Sequence, residues 1–453
     1  MENKDLKMAF RIADLVAQRG GTAYYIGGYV RDKLLQRENK DIDIEVHGLY
    51  PAQLEEVLGQ LGKRMAIGES FGIYNLKGYS LDIAMPRKEE QRGSGHKDFD
   101  VFVDPFIGTR KAALRRDFTM NALMENILTG EVVDHFGGAA DLRAGIIRHV
   151  NDSSFIEDPL RVLRAAQFAA RFEFSIAEET LALCGRMDLS ALPRERILGE
   201  LEKALLKAKR PSIFFESLRR MGQLSFWFPE LERTIGVEQD PIYHPEGDVW
   251  THTMMVLDAA AQYRDQVSDP LGFMLAALTH DFGKVLCSEK VNGRIRAYQH
   301  EILGLPLVRS FLRRLTRERA RTRYVLNLSE LHMKPLMMAN DRSSLKATNK
   351  MFDQAADPEA LICLSLADGL GKRPSGEDAS GEAFLLERLA VFREYMNRPR
   401  VTGRDLIDAG ISPSEHFSEY MAFAHKLHLA GVSKENALPQ VLALVRKTEG
   451  GRG

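Results

Sequence analysis

The stretch GGYVRDKLLQRENKDIDIEV, residues 27–46, indicates the fold of the first part of the chain. The preceding TAYYI, residues 22–26, predicts a strand that enters a glycine turn, and VRDKLLQRE predicts a short helix. DIDIEV then alternates polar and apolar residues, which places Asp41 and Asp43 on one face of a second strand. A strand, a glycine turn, a helix and a carboxylate-bearing strand together indicate a small unit of mixed helices and strands.

The carboxylate pair and the glycine turn suit a nucleoside triphosphate. Two aspartates at i and i+2 on a strand can hold Mg²⁺ together with substrate phosphates. Gly27 and Gly28 would let backbone N–H groups approach the phosphates, and Arg31 would neutralise their charge. Asp82, in the predicted strand SLDIAM, is a candidate third carboxylate. The alternative is a pair of aspartates solvated on an edge strand.

The composition is that of a globular protein with several domains. The 453 residues are 44% apolar and 28% charged, and the net charge of −1 does not by itself indicate a nucleic-acid binder. Cys184, Cys287 and Cys363 lie far apart without metal-type spacing, which indicates reduced thiols. Because we find neither a signal peptide nor a membrane-length apolar run, we expect a cytoplasmic protein without membrane contact.

The periodicity changes after Ile147, where strand patterns give way to helical ones that continue to the end. This predicts a head of mixed sheet and helices followed by an all-α body. Polar, Pro- or Gly-containing joints occur near 145–155, 235–245 and 370–382. We divide the chain accordingly into domains 1–147, 148–235, 236–380 and 381–453.

The opening stretch resembles the first motif of the superfamily of class II tRNA nucleotidyltransferases and bacterial poly(A) polymerases, whose head is related to DNA polymerase β. RRDFTMNAL (115–123) resembles its second motif, which binds the sugar and phosphates of the incoming nucleotide. EDPLRVLRAAQFAARF (157–172) resembles the third, which reads the base, and PRERILGELEKAL (193–205) the fourth. The resemblance implies these nucleotide-binding residues: Gly27, Gly28, Arg31, Arg115, Arg116, Asp117, Asn121, Asp158, Arg161, Arg164 and Arg196.

Each of these later motifs also has a purely structural interpretation. The arginines of the second motif would be an exposed pair at a helix start. In the third, Asp158 would cap a helix with Pro159 at its first position, and Arg161 would form a salt bridge. The alternating charges of the fourth would pair on a helix surface, so only Arg196 is taken there as a candidate site residue.

Histidines and aspartates in the middle of the chain form a second constellation. Imidazole suits transition metals better than Mg²⁺, and the histidines lie in the helical segments THTMMV, LTHDFGK and YQHEILG. HDFGK after an apolar helix resembles the HD phosphohydrolase superfamily, an HD domain that some tRNA nucleotidyltransferases carry. The alternative is ordinary histidines satisfied within helices. The resemblance implies a transition-metal site at His252, His280, Asp281 and Asp368, with His300 and His332 as further ligands.

The leading function is that of an enzyme that adds CCA to tRNA from CTP and ATP with Mg²⁺, with Asp41 and Asp43 holding the metal. In the family, the Asp and Arg of the third motif act as the template. RNA phosphates would need cations, for which 309–323 and 203–212 are candidate segments. The tail, VTGRDLIDAGISPSEHFSEYM (401–421), resembles the part that contacts tRNA in the family.

Three alternatives stay open. The chain could be a specialist that adds only A or only CC, or a poly(A) polymerase. The polar stretch from Lys88 to Asp100 predicts a mobile loop, which CC-adding members tend to lack, so this stretch counts against CC addition alone. The second alternative is a metal-dependent phosphohydrolase whose head only binds nucleotide. The third is a non-catalytic RNA-binding protein.

Overall fold

The computed structural model describes residues 4–39, 41–66, 73–91, 99–372 and 379–450. The chain forms two compact units, which are described separately below. Unit 1 comprises Met1–Ala204 and Ile213–Gln223, and unit 2 comprises Leu205–Ser212 and Leu224–Gly453. The finer division into four domains stays a prediction.

Unit 1 begins with a sheet and the helices that accompany it. Its elements are α1 (Lys4–Ala17), β1 (Thr22–Ile26), α2 (Gly28–Leu34), β2 (Ile42–His47), α3 (Pro51–Leu61), β3 (Arg64–Ala66), β4 (Ile73–Leu76), β5 (Leu81–Ala84), β6 (Arg87–Gln91), β7 (Phe99–Val103), α4 (Thr109–Leu114), β8 (Met124–Asn126) and β9 (Val132–Val133).

The main sheet has seven strands in the order β3-β4-β5-β2-β1-β8-β9. β2 and β5 pair in parallel and the other neighbours are antiparallel, so the predicted mixed sheet is confirmed. The apolar positions of β2, Ile42, Ile44 and Val46, are buried, while α1 buries Ile12 and Val16. The polar positions of β2 are thereby left to the opposite face, where the carboxylates stand.

The stretch predicted as a mobile loop is partly a hairpin. β6 and β7 pair antiparallel, from Arg87 with Val103 to Gln91 with Phe99, so both ends of the stretch from Lys88 to Asp100 are strands. The prediction was wrong there because the run KEEQ carries no apolar alternation that would show a strand. Residues 92–98 lie outside the described part of the chain.

Beyond β9 the chain is mainly helical as far as Arg220. Helix α7 buries apolar residues along most of its length, among them Val162, Ala166 and Phe168. The elements here are α5 (Gly138–Ala144), β10 (Ile146–Ile147), α6 (Asp152–Ile156), α7 (Leu160–Phe172), β11 (Ser175–Ile176), α8 (Glu178–Cys184), α9 (Arg194–Lys207) and α10 (Ser212–Arg220).

Unit 2 is built around α13, a helix that is buried on all sides. Its elements are α11 (Pro229–Glu232), α12 (Val249–Ala260), α13 (Pro270–Thr279), α14 (Lys284–Cys287), β12 (Ser288–Val291), β13 (Arg294–Ala297), α15 (His300–Leu303), α16 (Leu305–Leu315), α17 (Arg319–Leu331), α18 (Met333–Asn340), α19 (Leu345–Gln354), α20 (Pro358–Lys372), α21 (Ala379–Asn397), α22 (Gly403–Asp408), α23 (Phe417–Leu429) and α24 (Lys434–Gly450).

The expectation that strands end at Ile147 is wrong. Besides the short β11, an antiparallel hairpin of β12 and β13 interrupts the helical body. Its turn residues Asn292 and Gly293 both have positive φ, 50° and 79°. Asn-Gly is the usual pair for such a turn, so the sequence carried a local signal that helical periodicity on both sides concealed.

The last helices of unit 2 share a small apolar core. Val401, Leu406, Tyr420 and Val441 are buried together there. In the described part of the chain, no helix is both long and apolar enough to span a membrane.

Candidate active sites

Asp43 and Asp82 lie side by side in the head, because the parallel register pairs them across β2 and β5. Asp41 is exposed at the start of the same strand, and Asp43 is partly buried. Burial raises the pKa of Asp43, and the charge of Arg116 opposes this rise. The carboxylates of Asp82 and Asp41 raise the same pKa further. The three predicted carboxylates therefore lie near one another at the beginnings of β2 and β5, two inner strands of the sheet.

Oxygen ligands of this kind fit a hard cation such as Mg²⁺. Their side chains are spread apart, however. Among the described residues, metal-type groups with all ligand atoms within 4.8 Å of one another occur between His244 and Asp368, and the head carboxylates are not among them. Asn75 Nδ2 holds Asp82 at 2.5 Å.

The glycine turn lies beside these carboxylates. Gly27 has φ 62° and ψ −124°, a conformation that side chains rarely adopt. Its N–H donates to the carbonyl of Leu123 at 3.3 Å, so this group is already bound within the protein. A Cβ built on Gly27 would lie 3.8 Å from Nη1 of Arg116. The turn therefore brings the backbone close to an arginine of the second motif.

Arg31 lies inside the protein rather than at the surface of the turn. Its side chain is 4% exposed, with Nε 2.8 Å from Oδ1 of Asp32 and Nη1 2.7 Å from Oδ1 of Asn121. Its guanidinium also stacks over the rings of Phe168 and Phe172 in α7. These contacts occupy the donors that were expected to reach phosphate, so the geometry favours a brace between α2 and α7.

The two arginines of the second motif point to different partners. Arg115 Nη1 donates to the carbonyl of Arg87 at 2.8 Å. Arg116 Nη2 lies 3.3 Å from Oε2 of Glu45 on β2, and its side chain is 34% exposed. Of the two, Arg116 is the one that stands between the carboxylate strand and the glycine turn.

Asp117 and Asn121 belong to the same buried network as Arg31. Asn121 Nδ2 donates to Oδ1 of Asp117 at 3.0 Å, and Arg164 Nη2 lies 2.6 Å from Oδ2. Burial by itself would raise the pKa of Asp117, but the charge of Arg164 and the Asn121 hydrogen bond hold it below the ordinary value. The network ties the second motif to helix α7.

The third motif combines capping and pairing. Asp158 Oδ1 accepts from the N–H of Leu160 at 3.1 Å, and Oδ2 lies 2.8 Å from Nη2 of Arg196. The cap was foreseen and coexists with a partner from the fourth motif. Within the part of the chain that the structure describes, Arg161 forms no salt bridge with a carboxylate; it donates to the carbonyls of Ser154 and Arg115. The Asp158–Arg196 pair is partly exposed, so it can be reached by a base.

In unit 2 the structure brings all predicted HD residues together, in a buried cluster. Asp281 is central, with Oδ1 3.1 Å from Nε2 of His300 and Oδ2 3.2 Å from Nε2 of His280. His252 Nε2 lies 3.0 Å from Oδ1 of Asp368, and His300 and His332 have their Nε2 atoms 3.3 Å apart. Two metal-type groups result: His252 with His280 and Asp368, and His280 with Asp281 and His332.

Local geometry aims three of the histidines at this cluster. Nδ1 of His280, His300 and His332 each lies 2.6–2.9 Å from the carbonyl three residues earlier, which turns Nε2 inward. Burial lowers the pKa of His332 to about 3, so its ring is neutral, as a metal ligand must be. Gly283 has no room for a Cβ, which would lie 1.9 Å from the carbonyl oxygen of His300.

The donor set fits a transition metal. Several inward atoms make no ordinary hydrogen bond within the described residues, namely Nε2 of His252 and His280, Oδ2 of Asp281 and Oδ1 of Asp368. They contact one another and Nζ of Lys284 as ion pairs, and a bound metal ion could replace such contacts. A cavity of about 840 Å³ opens onto the cluster, and Asp281, His300 and Asp368 line it. The site can therefore both hold ions and admit a small molecule.

Sequence reasoning placed Glu45 on the face of Asp41 and Asp43 without selecting it as a site residue, and it missed five further residues around the two sites. In the head, the missed residue is His47, which follows Glu45 on the same face of β2. In unit 2, Glu246 accepts from Nδ1 of His244 and lies 2.8 Å from Nδ1 of His252. The spacing His-x-Glu before α12 was the available signal. The remaining two are lysines, Lys284 and Lys372, whose Nζ atoms lie 2.7 and 2.9 Å from Asp281 and Asp368.

Three family models match the chain. The poly(A) polymerase head domain matches residues 23–148, the HD domain matches 249–371, and the model described as a probable RNA and SrmB-binding site of polymerase A matches 173–235. The first two contain the head carboxylates and the histidine cluster, respectively.

Curated relatives and solved structures agree with these models. The chain is 40% identical to the "Multifunctional CCA protein" of Nitrosococcus oceani over 86% of this chain and 93% of the relative. It is also 40% identical to that of Ralstonia nicotianae, over 66% and 69%. The CCA-adding enzyme of Thermotoga maritima complexed with tRNA has TM-score 0.66 at 23% identity, covering 98% and 96%. That of Bacillus stearothermophilus with CTP has TM-score 0.69 at 21%, covering 99% and 100%.

Proposed function

Because the chain belongs to the family of bacterial CCA-adding enzymes that carry an HD domain, we propose that it completes tRNA 3′ ends with CCA, using CTP and ATP. The observation that carries the proposal is the parallel pairing of Asp43 with Asp82 beside Arg116. This arrangement places an acidic group for metal ions and a cation for phosphate together at the beginnings of β2 and β5. Family membership makes both the head and the HD domain metal-dependent; the choice of Mg²⁺ for the head is part of the proposal.

In this reaction the 3′-oxygen of the tRNA attacks the α-phosphorus of the nucleotide, and pyrophosphate leaves. Asp41, Asp43 and Asp82 would hold Mg²⁺, which when bound lowers the pKa of the attacking hydroxyl and stabilises charge on the phosphates. Arg116 lies where it can contact the triphosphate through the donors that Glu45 leaves available. The Gly27 turn keeps side chains away from that space.

Base choice is assigned to the pair of Asp158 and Arg196, with Arg161 supporting it. A carboxylate accepts from the amine that cytosine carries at C4 and adenine at C6, positions where uracil and guanine carry a carbonyl oxygen. Arg161 uses donors on two backbone carbonyls and so fixes the start of α7. Arg164 and Asn121 secure the same helix through Asp117, and we assign them positioning roles rather than nucleotide contacts.

The partners proposed are tRNA, CTP and ATP, and the place is the cytoplasm. The narrower alternatives, addition of A or CC alone and poly(A) synthesis, use the same head chemistry. The experiment that separates them uses tRNA transcripts ending before CCA, after C and after CC. Each is incubated with Mg²⁺ and CTP, ATP or both, and the products are resolved to single nucleotides. All three should stop at CCA; growth of only the CC-ended transcript, by one A, would show an A-adding specialist.

A second activity is favoured by the histidine cluster beneath its cavity. We propose a metal-dependent phosphohydrolase there, with His252, His280, Asp281 and Asp368 holding a transition-metal ion and His300 and His332 as further ligands. Such an ion, when bound, supplies a hydroxide nucleophile at neutral pH. Phosphate release from p-nitrophenyl phosphate after loading with Mn²⁺, Co²⁺ or Ni²⁺ tests this, and no release with any of these ions would contradict it.

A further inference from the structure

Glu45 is a buried carboxylate on the strand that carries the reacting aspartates. It stands two residues after Asp43 on the same face of β2, but it is only 7% exposed. Its Oε1 lies 2.8 Å from Nε2 of His47 and its Oε2 3.3 Å from Nη2 of Arg116. A carboxylate this deep is stable only with such partners. Along this face of β2, the acidic side chains thus change from exposed at Asp41 to buried and paired at Glu45.

The other side of the Arg116 guanidinium is turned to the reaction space. Its Nη1 lies 3.8 Å from the Cβ position of Gly27, and its charge acts on the carboxyl of Asp43. About a third of the side chain stays exposed. Glu45 therefore holds the guanidinium by one nitrogen and leaves its remaining donors over the glycine turn, where the triphosphate is expected.

We propose that Glu45 is a positioning residue for nucleotide transfer, acting only through Arg116, which it orients toward the triphosphate of either CTP or ATP. His47 completes the anchor by binding the second carboxylate oxygen. A flexible arginine would lose side-chain rotamer freedom each time a nucleotide binds, which would weaken binding. An arginine that Glu45 already holds in place has lost this freedom before the nucleotide arrives. The inference rests on the proposed function, since it requires a triphosphate at the Gly27 turn.

A purely structural role makes a different prediction. If Arg116 only neutralises a buried carboxylate, loss of Glu45 lowers the stability of the protein and leaves nucleotide affinity in the folded molecules unchanged. If Glu45 orients Arg116, its loss weakens binding of both nucleotides by the same factor, because the triphosphate is common to them. Kinetics at saturating tRNA separate the two roles through KM and kcat.

The experiment compares Glu45→Gln, Arg116→Ala and the double variant by single-nucleotide extension of tRNA at varied CTP or ATP. Glu45→Gln keeps the shape and a hydrogen-bond acceptor but removes the charge. The matched control is Glu230→Gln, which removes a buried carboxylate bound by Arg314 in unit 2. Thermal unfolding of every variant is followed in parallel.

We expect Glu45→Gln to raise KM for CTP and for ATP about tenfold with kcat within about threefold, and to add nothing in the Arg116→Ala background. Glu230→Gln should leave both KM values unchanged. If the wild type is active, two results would overturn this inference alone. One is that Glu45→Gln leaves KM for CTP and ATP unchanged. The other is that Glu45→Gln raises KM by the same factor in the Arg116→Ala background. A wild type that adds no nucleotide would overturn the proposed function and this inference with it.

Discussion

Asp43 on β2 and Asp82 on β5 occupy directly paired positions on parallel strands, so two carboxylates that are distant in sequence stand side by side. Replacing Asp43 with Ala should reduce nucleotide addition by about a thousandfold or more, because the metal-holding group loses its central member. Incorporation of labelled ATP and CTP into tRNA measures this. Asp14→Asn, which removes an exposed carboxylate of α1, serves as control and should retain full activity. Addition that survives Asp43→Ala would show that the reacting carboxylates are elsewhere.

Loss of Asp158 should relax the choice of base. Asp158→Ala removes the acceptor for the exocyclic amine and releases Arg196 from its 2.8 Å contact. We expect kcat/KM for CTP and ATP to fall about ten- to hundredfold while incorporation of UTP and GTP rises relative to them. Competition between the four nucleotides on one tRNA provides the measurement. An unchanged ratio among the four would remove Asp158 from base selection.

Arg31 should prove to be a brace rather than a phosphate ligand. Lysine lacks the planar fork by which Arg31 places Nε on Asp32 and Nη1 on Asn121, so Arg31→Lys should lower the free energy of unfolding by about 3 kcal/mol. Urea unfolding measures the loss. If Arg31→Lys keeps the stability of the protein but binds nucleotide more weakly, Arg31 contacts phosphate directly and is not a brace.

The pH dependence of stability should report on Asp117. Its pKa is lower in the folded chain than the ordinary value of about 3.9, because Arg164 and Asn121 outweigh the effect of burial. The stabilisation is therefore complete above about pH 4 and is lost as the pH falls through the folded pKa. Asp117→Asn should cost about 2 kcal/mol at pH 7 and progressively less below pH 4. Urea unfolding at several pH values tests this, and a constant difference would contradict it.

The two active sites should be separable by mutation. His280→Ala combined with Asp281→Ala removes ligands of both metal-type groups, so metal-dependent hydrolysis of p-nitrophenyl phosphate should fall about a hundredfold or more. Addition of CCA should continue. His425→Ala, a histidine paired with Asp353 outside the cluster, is the matched control. Hydrolysis that persists in the double variant would place that activity outside this cluster.

Much of the head could be predicted from residue type and spacing. Strand alternation placed Asp41 and Asp43 on one face, and the carboxylate of Asp82 was recognised in the later strand. The sequence also placed Asp82 beside this pair, but the exact register of Asp43 opposite Asp82 was not predicted, because parallel register depends on the crossover between the strands. The charge of Arg31 was visible, but the direction of its donors was not, so a buried brace looked like a phosphate ligand.

The histidine cluster shows the same limit to what the sequence alone can predict. His252, His280 and Asp368 could be chosen because they match the ligand pattern of the HD superfamily, which HDFGK resembles. Glu246 was missed although the His-x-Glu spacing before α12 is visible, because that spacing alone does not show that Glu246 binds Nδ1 of His252 in the folded chain. Lys284 and Lys372 were missed for a similar reason: sequence does not show that an ammonium group is buried against a carboxylate.

The hydrogen bonds between the histidine Nδ1 atoms and the preceding carbonyls have a consequence for metal exchange. Because backbone carbonyls already determine which ring nitrogen carries the proton at His280, His300 and His332, the rings need not rearrange when an ion arrives. His280 and His332 directly follow the ends of helices α13 and α17, and His300 begins helix α15. The HD part of the molecule should therefore stay folded when a chelator removes its metal ion, and it should then bind a different ion. Which ion it holds in the cell would depend on the metals that the cell supplies.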